Sequence, residues 1–410
     1  MRTPHAVTLI LAAGLAALAF GGTAQAPLPP PAAVVTPIPS RALDGAAQPN
    51  LAADSRGRVW MTWLEPKPGG GHRFQLSELS GSQWSAPSTI TEGTTLMANW
   101  ADFPSVFVAS DGTMAAHYLE RGTTRLAYHV RVKTSKDGGK SWSEPITPHR
   151  DTSATEHGFV SFYDAPGGGV GLIWLDGREM AAGHGLGARG SMTLRSTVLK
   201  NGVAGDELVI DSKVCECCQT SAARTADAVL VAYRDRSDQE IRDTAVARLA
   251  GGKWSAPVTV GTDNWNITAC PVNGPAIAAA GHSAAVAWFT AAGDAPKTFV
   301  AFSTDGGRSF GGPIRLDTAP TLGRLDILMP SPDRAFVTSL ERDAEGARVV
   351  LREVRRDGRV SAPVQIGRTT PDRPAGFPRI VSAGKRLVAA WTEPRPGGAS
   401  RVLTAVMEAR

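Results

Sequence analysis

The sequence predicts a repetitive all-β fold, one small antiparallel sheet made again and again and arranged in a ring. Three observations carry this. A hairpin theme recurs along the chain at roughly 50 to 60 residues, the size of a four-stranded propeller blade. Two stretches, Ser135-Lys136-Asp137-Gly138-Gly139-Lys140-Ser141-Trp142 and Ser303-Thr304-Asp305-Gly306-Gly307-Arg308-Ser309-Phe310, share the pattern S-x-D-x-G-x-x-aromatic. An aromatic-Ser-x-Pro tetrapeptide or a close variant follows most hairpins.

The chain of 410 residues opens on what reads as a secretory leader: Arg2, an apolar run over 6–20 and the small-x-small triplet Ala24-Gln25-Ala26. Cleavage is expected after Ala26, giving a secreted or periplasmic protein. The run is too short and too rich in Ala to favour a membrane span. Residues 27–40 are proline-rich and read as an extended linker. Residues 41–410 read as one repeat domain. A net charge of +5 without a Lys/Arg run gives a nucleic-acid role little support.

Each copy pairs a small-residue strand with an apolar strand that ends near an aromatic and an acid. The pairs are 50–54 with 59–65, 103–110 with 114–120, 159–164 with 170–176, and 221–225 with 228–235. They continue as 275–280 with 284–290, 327–331 with 335–341, and 377–382 with 387–393. Trp84-Ser85-Ala86-Pro87, Trp142-Ser143-Glu144-Pro145, Trp254-Ser255-Ala256-Pro257, Phe310-Gly311-Gly312-Pro313 and Val360-Ser361-Ala362-Pro363 each open an outer strand, where proline is tolerated. The last copy ends one strand short, and residues 34–39 can supply it. The result is a seven-bladed propeller closed by pairing the chain ends, which removes exposed sheet edges. Six blades with a decorated terminus is the alternative.

In the two Asp-x-Gly stretches, Asp accepts backbone N–H groups, Gly supplies φ > 0 and the aromatic folds back as a plug. Asp137, Gly139 and Trp142, with Asp305, Gly307 and Phe310, therefore serve as turns. They resemble the Asp box of the sialidase (BNR-repeat) superfamily. That resemblance implies an exo-sialidase-like glycoside hydrolase, with arginines gripping the carboxylate of a sialic-acid-type glycan and a carboxyl group donating a proton. It covers the mature chain as repeat and turn. Sialidases, however, have six blades and an N-terminal Arg-Ile-Pro signature, which is absent here.

In a propeller, inner strands begin and second strands end on one face, here called the upper face. The turns between third and fourth strands lie on the other. Ligand groups are expected on the upper face, around the channel mouth. Acids close the second strands at Glu65, Glu120, Asp176, Asp235, Glu341 and Glu393, and arginines follow at Arg121, Arg178, Arg236, Arg342 and Arg395. Such pairs either tie blades together or line a funnel for an acidic glycan. The catalytic candidates are Asp176, Arg178, Arg234, Asp235, Arg236 and Arg342, and the ligand-contact candidates are Trp100, Asp102, Trp265, Asn266 and Arg379.

All four cysteines fall in two short segments, Cys215, Cys217 and Cys218 before the fourth inner strand and Cys270 before the fifth. Adjacent blades bring them together. Three readings stay open: disulfides, in which two of the three crowded cysteines must pair with each other; a thiolate site for Cu(I) or Zn(II); or a redox-active pair. His157 and Met97 could extend a metal site. His117 and His129 fall in strand patterns, and His72, His149 and His282 in turns, which makes them poor candidates. His184 sits in a Gly-rich insertion that could cover the channel mouth.

Overall fold

In the computed structural model the chain is a seven-bladed β-propeller; residues 28–124, 127–180 and 190–409 are described. The expected leader over 1–26 and the insertion carrying His184 lie outside these residues. No described helix is long and apolar enough to cross a membrane.

Blade 1 is built from Ala47–Ala53, Val59–Pro66, His72–Ser80 and a split outer strand, Gln83–Trp84 and Ser88–Gly93. The other blades repeat this antiparallel order, and the six-bladed alternative is excluded by seven separate sheets. Blade 7 pairs Arg379–Ala383, Arg386–Pro394 and Ser400–Ala409, and its outer strand is Ala32–Ile38 from the other end of the chain, with Val35 opposite Met407 and Ile38 opposite Thr404. The ring thus closes as the sequence predicts. Blade 2 departs from the rule. Beyond Ser105–Val108, Met114–Arg121 and Tyr128–Ser135, its fourth strand shrinks to one bridge between Val132 and Ile146. Pro145 and Pro148 flank that bridge and lack the N–H needed to extend it.

The core is divided among the blade interfaces. Trp60, Phe74 and Leu76 of blade 1 pack on Val106, Met114 and Tyr118 of blade 2, and the series ends with Met61, Trp63 and Trp84 against Val388 and Ala390 of blade 7. Trp84 Nε1 also donates to Thr404 Oγ1 at 3.0 Å across that seam. The acids ending the second strands find local partners. Strand residues two apart share a face, so Trp63 Nε1 reaches Glu65 at 3.0 Å and Trp174 Nε1 reaches Asp176 at 2.8 Å. The recurrent serine is a clamp. Ser85, Ser143, Ser255 and Ser361 each accept a third-strand N–H on Oγ, from Glu78, Thr134, Arg248 and Glu353, at 3.0 to 3.2 Å. Each also returns its own N–H to the same residue's carbonyl.

The two Asp boxes are superimposable in their bonding. Asp137 Oδ1 accepts N–H groups of Lys140 and Ser141, both at 3.0 Å, and Asp305 Oδ1 those of Arg308 and Ser309 at the same distances. Gly139 and Gly307 take φ of 85° and 80°. A Cβ there would strike Leu76 and Leu230 of the preceding blade at 2.4 and 2.6 Å. Each box is thus a turn that docks on its neighbour. The Asp137 turn shares a depression with the inner hairpin turns at Asp54 and Asp111, which places it on the lower face.

Candidate functional site

The upper face is built from strained and bulged backbone. Inner strands of blades 1, 3 and 6 shift register where they begin, and Gln48, Phe159 and Arg324 take φ of 59°, 54° and 54° at those points. Val272, a β-branched residue, takes φ of 48° in the loop leading to blade 5. Such conformations cost about 1–3 kcal/mol each and persist only where surrounding contacts impose them.

Those contacts are polar bridges between loops of different blades. Asn99 Oδ1 accepts the N–H of Ala101 at 3.0 Å, turning the loop before blade 2 across the mouth. Gln219 Nε2 donates to Ala101 O at 2.6 Å, and its Oε1 accepts the N–H of Gly274 at 3.0 Å. Asn273 Oδ1 accepts the N–H of Arg324 at 2.7 Å. Trp100 stacks on Phe377 with centroids 6.2 Å apart and planes at 13°. Loops of blades 2, 4, 5, 6 and 7 are therefore knitted over the channel, leaving beneath them a cavity of about 280 Å³ lined by Asp102, Phe103, Ser161, Thr220 and Arg379 among others.

At the edge of this cover lies the sulfur cluster. Cys215 Sγ is 3.3 Å from Cys218 Sγ and 3.8 Å from Cys217 Sγ. Cys270, from the loop before blade 5, reaches the Cys217 thiol. No S–S bond joins any of the four. Cys215 and Cys218 are buried, Cys217 half-buried and Cys270 exposed. Arg242 Nη1 donates to Cys215 Sγ at 3.4 Å and to Glu216 Oε2 at 2.7 Å; Arg236 pairs with Glu216 and Glu240. Burial opposes ionisation of Cys215, but hydrogen bonds from the Cys217 and Cys218 thiols and the Arg242 charge outweigh it, so its pKa falls well below the ordinary thiol value. Hydrogen bonding to Cys215 raises Cys217, and burial raises Cys218.

The acid–arginine pairs are structural clasps within blades. Asp176 is fully buried and is gripped by Arg178 at 2.6 and 2.7 Å, while Arg178 also holds Glu207 at 2.8 Å. Glu341 is held by Arg348 and Arg352. Arg234 is buried and donates to the carbonyls of Arg242, Asn273 and Phe289 at 2.6 to 2.8 Å. Arg236 is committed to Glu216 and Glu240, and Asp235 ties into the sheet edge through Asp243 O and a bridge to Val214. Asp176, Arg178, Arg234 and Arg236 are thus engaged by protein partners, which corrects the expectation that they line a funnel for a ligand, whereas the half-buried Asp235 carboxylate accepts the Arg236 N–H. Trp265 is buried against Arg234 and Phe289, and Asn266 Nδ2 donates to Gln239 O, so neither presents a sugar-stacking surface. His157 also moves: its ring stacks on His149 and faces Asp151, and it is not among the sulfurs.

Two groupings were invisible along the chain. Arg324 and Arg373 lie over Trp100 at 5.1 and 5.9 Å from its ring centre. Burial lowers Arg324 to about 10; Asp372 opposes this shift, and the charges of Arg373 and Arg342 reinforce it. Arg342 is thus the one catalytic candidate left in a cationic group, beside two arginines from other loops. Burial also raises Asp102 to about 7, against the Phe159 N–H and the Tyr128 hydroxyl. The second grouping is His129, His149 and His157. No motif spacing announces it, because its members come from a third strand, a connection and an inner strand. Arg379 stands between Asp326 Oδ2 at 3.4 Å and the Phe103 ring at 5.6 Å.

No protein-family model matches the chain, and no curated protein matches it. Among solved structures, a protein of unknown function from Dyadobacter fermentans aligns over 92% of this chain and 99% of its own, at 15% identity and a TM-score of 0.52. The α-L-arabinofuranosidase Arb93A of Fusarium graminearum aligns over 92% and 98%, at 13% identity and a TM-score of 0.50. A leech intramolecular trans-sialidase aligns over 88% and 67%, at 10% identity and a TM-score of 0.45. Likeness at this level of identity shows the fold alone, a β-propeller.

Proposed function

We propose that this propeller is an exported scaffold for a thiolate metal centre, with Cys215, Cys217, Cys218 and Cys270 binding Cu(I) or Zn(II). The observation that carries this reading is the spacing of unbonded sulfurs. Ligands about 2.3 Å from a tetrahedral ion lie about 3.8 Å from one another, and the Cys215 sulfur has neighbours at 3.3 and 3.8 Å. The surroundings suit an anionic cluster. Arg242 donates to Cys215. Soft sulfur donors select Cu(I) and Zn(II) over hard cations. The competing outcome is oxidation. Cys215 and Cys218 stand at C-x-x-C spacing and Cys217 faces Cys270, so two disulfides could form from the same contacts. Protein isolated anaerobically should carry about one equivalent of copper or zinc, lost in the Cys217→Ala/Cys218→Ala variant. Isolation with two disulfides and no metal under those conditions would overturn the proposal.

A second reading, binding or hydrolysis of an acidic glycan, is favoured by one observation: Trp100 with Arg324 and Arg373 against its ring, and Arg342 near enough for its charge to act on Arg324. Arg324 is held by the carbonyls of Pro371, Asp372 and Gly376; among the described residues Arg342 and Arg373 form no ion pair, so those two can accept a carboxylate. Asp102, pushed up by burial to about 7, lines the cavity and holds a proton in about half of the molecules at neutral pH, which it could donate. Sialosides and uronic-acid glycans should lose binding about tenfold or more in Arg373→Ala; unchanged binding removes this reading.

A further inference from the structure

We propose a second metal site, independent of the cysteines, in which His129, His149, His157 and Asp151 bind a borderline divalent ion such as Zn(II), Ni(II) or Co(II) between blades 2 and 3. His129 lies in Tyr128–Ser135, the third strand of blade 2. His157 begins His157–Asp164, the inner strand of blade 3, directly opposite Asp176. His149 and Asp151 lie in the connection between them. One nitrogen from each imidazole falls within 4.8 Å of the other two.

Hydrogen bonding fixes which nitrogens are available. His149 Nδ1 is 2.8 Å from the carbonyl oxygen of Asp151, which can only accept, so Nδ1 carries the proton. Its Nε2 then presents a lone pair, and that atom is buried without a hydrogen-bond partner. The His149 side chain belongs to a residue only 5% exposed. His157 repeats the pattern, with Nδ1 3.3 Å from Tyr128 O. Its Nε2 faces Asp151 Oδ2 at 3.0 Å and Asp176 Oδ1 at 3.7 Å. In the metal-free protein a proton on Nε2 bridges to these oxygens, and a divalent ion binding there would displace it. N and O ligands about 2.1 Å from one tetrahedral ion stand about 3.4 Å apart, between the two separations found here. An Nδ1–H bonded to a backbone carbonyl with Nε2 left bare is also the outer-shell arrangement that orients metal-binding histidines.

The ring stack sets the order of engagement. His149 and His157 lie face to face, centroids 3.9 Å apart and planes at 6°. Parallel rings direct their lone pairs side by side, so the ion seats first between His157 Nε2 and Asp151, and His149 tilts to join it. His129, half-buried with its ring 5.4 Å from His149, closes the set from the solvent side. Asp176 is already gripped by Arg178 and contributes charge more than a bond.

The test uses the full mature chain, stripped of metal and with its thiols alkylated, titrated with Co(II) and Zn(II). One equivalent of Co(II) should bind with imidazole-type d–d absorption and no sulfur charge-transfer band. His149→Phe keeps the stacked ring and its volume, and should weaken binding about tenfold or more while leaving the thermal midpoint without metal unchanged. His129→Gln should weaken it similarly. Loss of all Co(II) binding on alkylation, or unaltered affinity in both variants, would overturn the proposal.

Discussion

The two faces of this propeller obey different rules. On the lower face, each Asp box satisfies its own backbone within seven residues and then docks on the preceding blade, so structure there is local and repeated. On the upper face, loops are longer and backbone is strained at Gln48, Phe159, Val272 and Arg324. Cations are buried without carboxylate partners, and sulfur and imidazole are gathered from different blades. A face optimised only for stability would not leave Arg234 held by three carbonyls, Asp102 with its pKa raised by burial and His149 Nε2 bare. The contrast teaches that conformational cost in this molecule is concentrated on the face where ligand chemistry is possible.

Four substitutions test that contrast. Arg234→Ala should have the largest effect, because it strands three buried carbonyls and removes the charge beside Cys218. A loss of about 3–5 kcal/mol is expected by denaturant titration; a loss below about 1 kcal/mol would mean the upper face is not held by this residue. Asp102→Asn should instead stabilise. Asp102 has a folded pKa of about 7, above its unfolded value, so the folded state retains a proton that the unfolded state releases. Stability is therefore lost as pH rises from about 4 to about 7, by roughly 3–4 kcal/mol in all. The variant should be flat across that window and more stable than wild type at pH 8.

The lower face should respond less. Gly307→Ala puts a Cβ at φ of 80° and 2.6 Å from Leu230, which costs about 1–2 kcal/mol unless the leucine shifts. Asp305→Asn should be smallest. Burial raises the Asp305 pKa, but the Ser309 hydroxyl and N–H bring it down to about 2. Its contribution is present above the unfolded value near 4 and is lost as pH falls from about 4 to about 2. Solvent screening holds it under about 1 kcal/mol. An Asp305→Asn effect larger than that of Arg234→Ala would reverse the comparison.

Reading from the chain succeeded wherever the cause was local. Ser-x-Asp-x-Gly dictates its own turn, and Trp-Ser-x-Pro dictates a serine clamp. The missing outer strand of the seventh repeat required 34–39, and Ala32–Ile38 supplies it. The repeat also put Cys270 within reach of Cys215, Cys217 and Cys218, because adjacent blades present adjacent loops. The same logic failed for Asp176, Arg178 and Arg236. Spacing marks a charged residue but not whether a neighbouring strand already neutralises it.

The sequence by itself determined the blade and pointed to closure of the ring by the chain ends, since hydrophobic alternation and turn chemistry act over a few residues, while the seven separate sheets removed the six-bladed alternative. Only the tertiary structure decided which polar groups remain free. His129, His149 and His157 become one cluster, and Arg324, Arg342 and Arg373 another, through packing between blades and loops crossing the channel. Hydrogen bonds across those junctions fix each tautomer and each residual charge, and they join residues far apart along the chain.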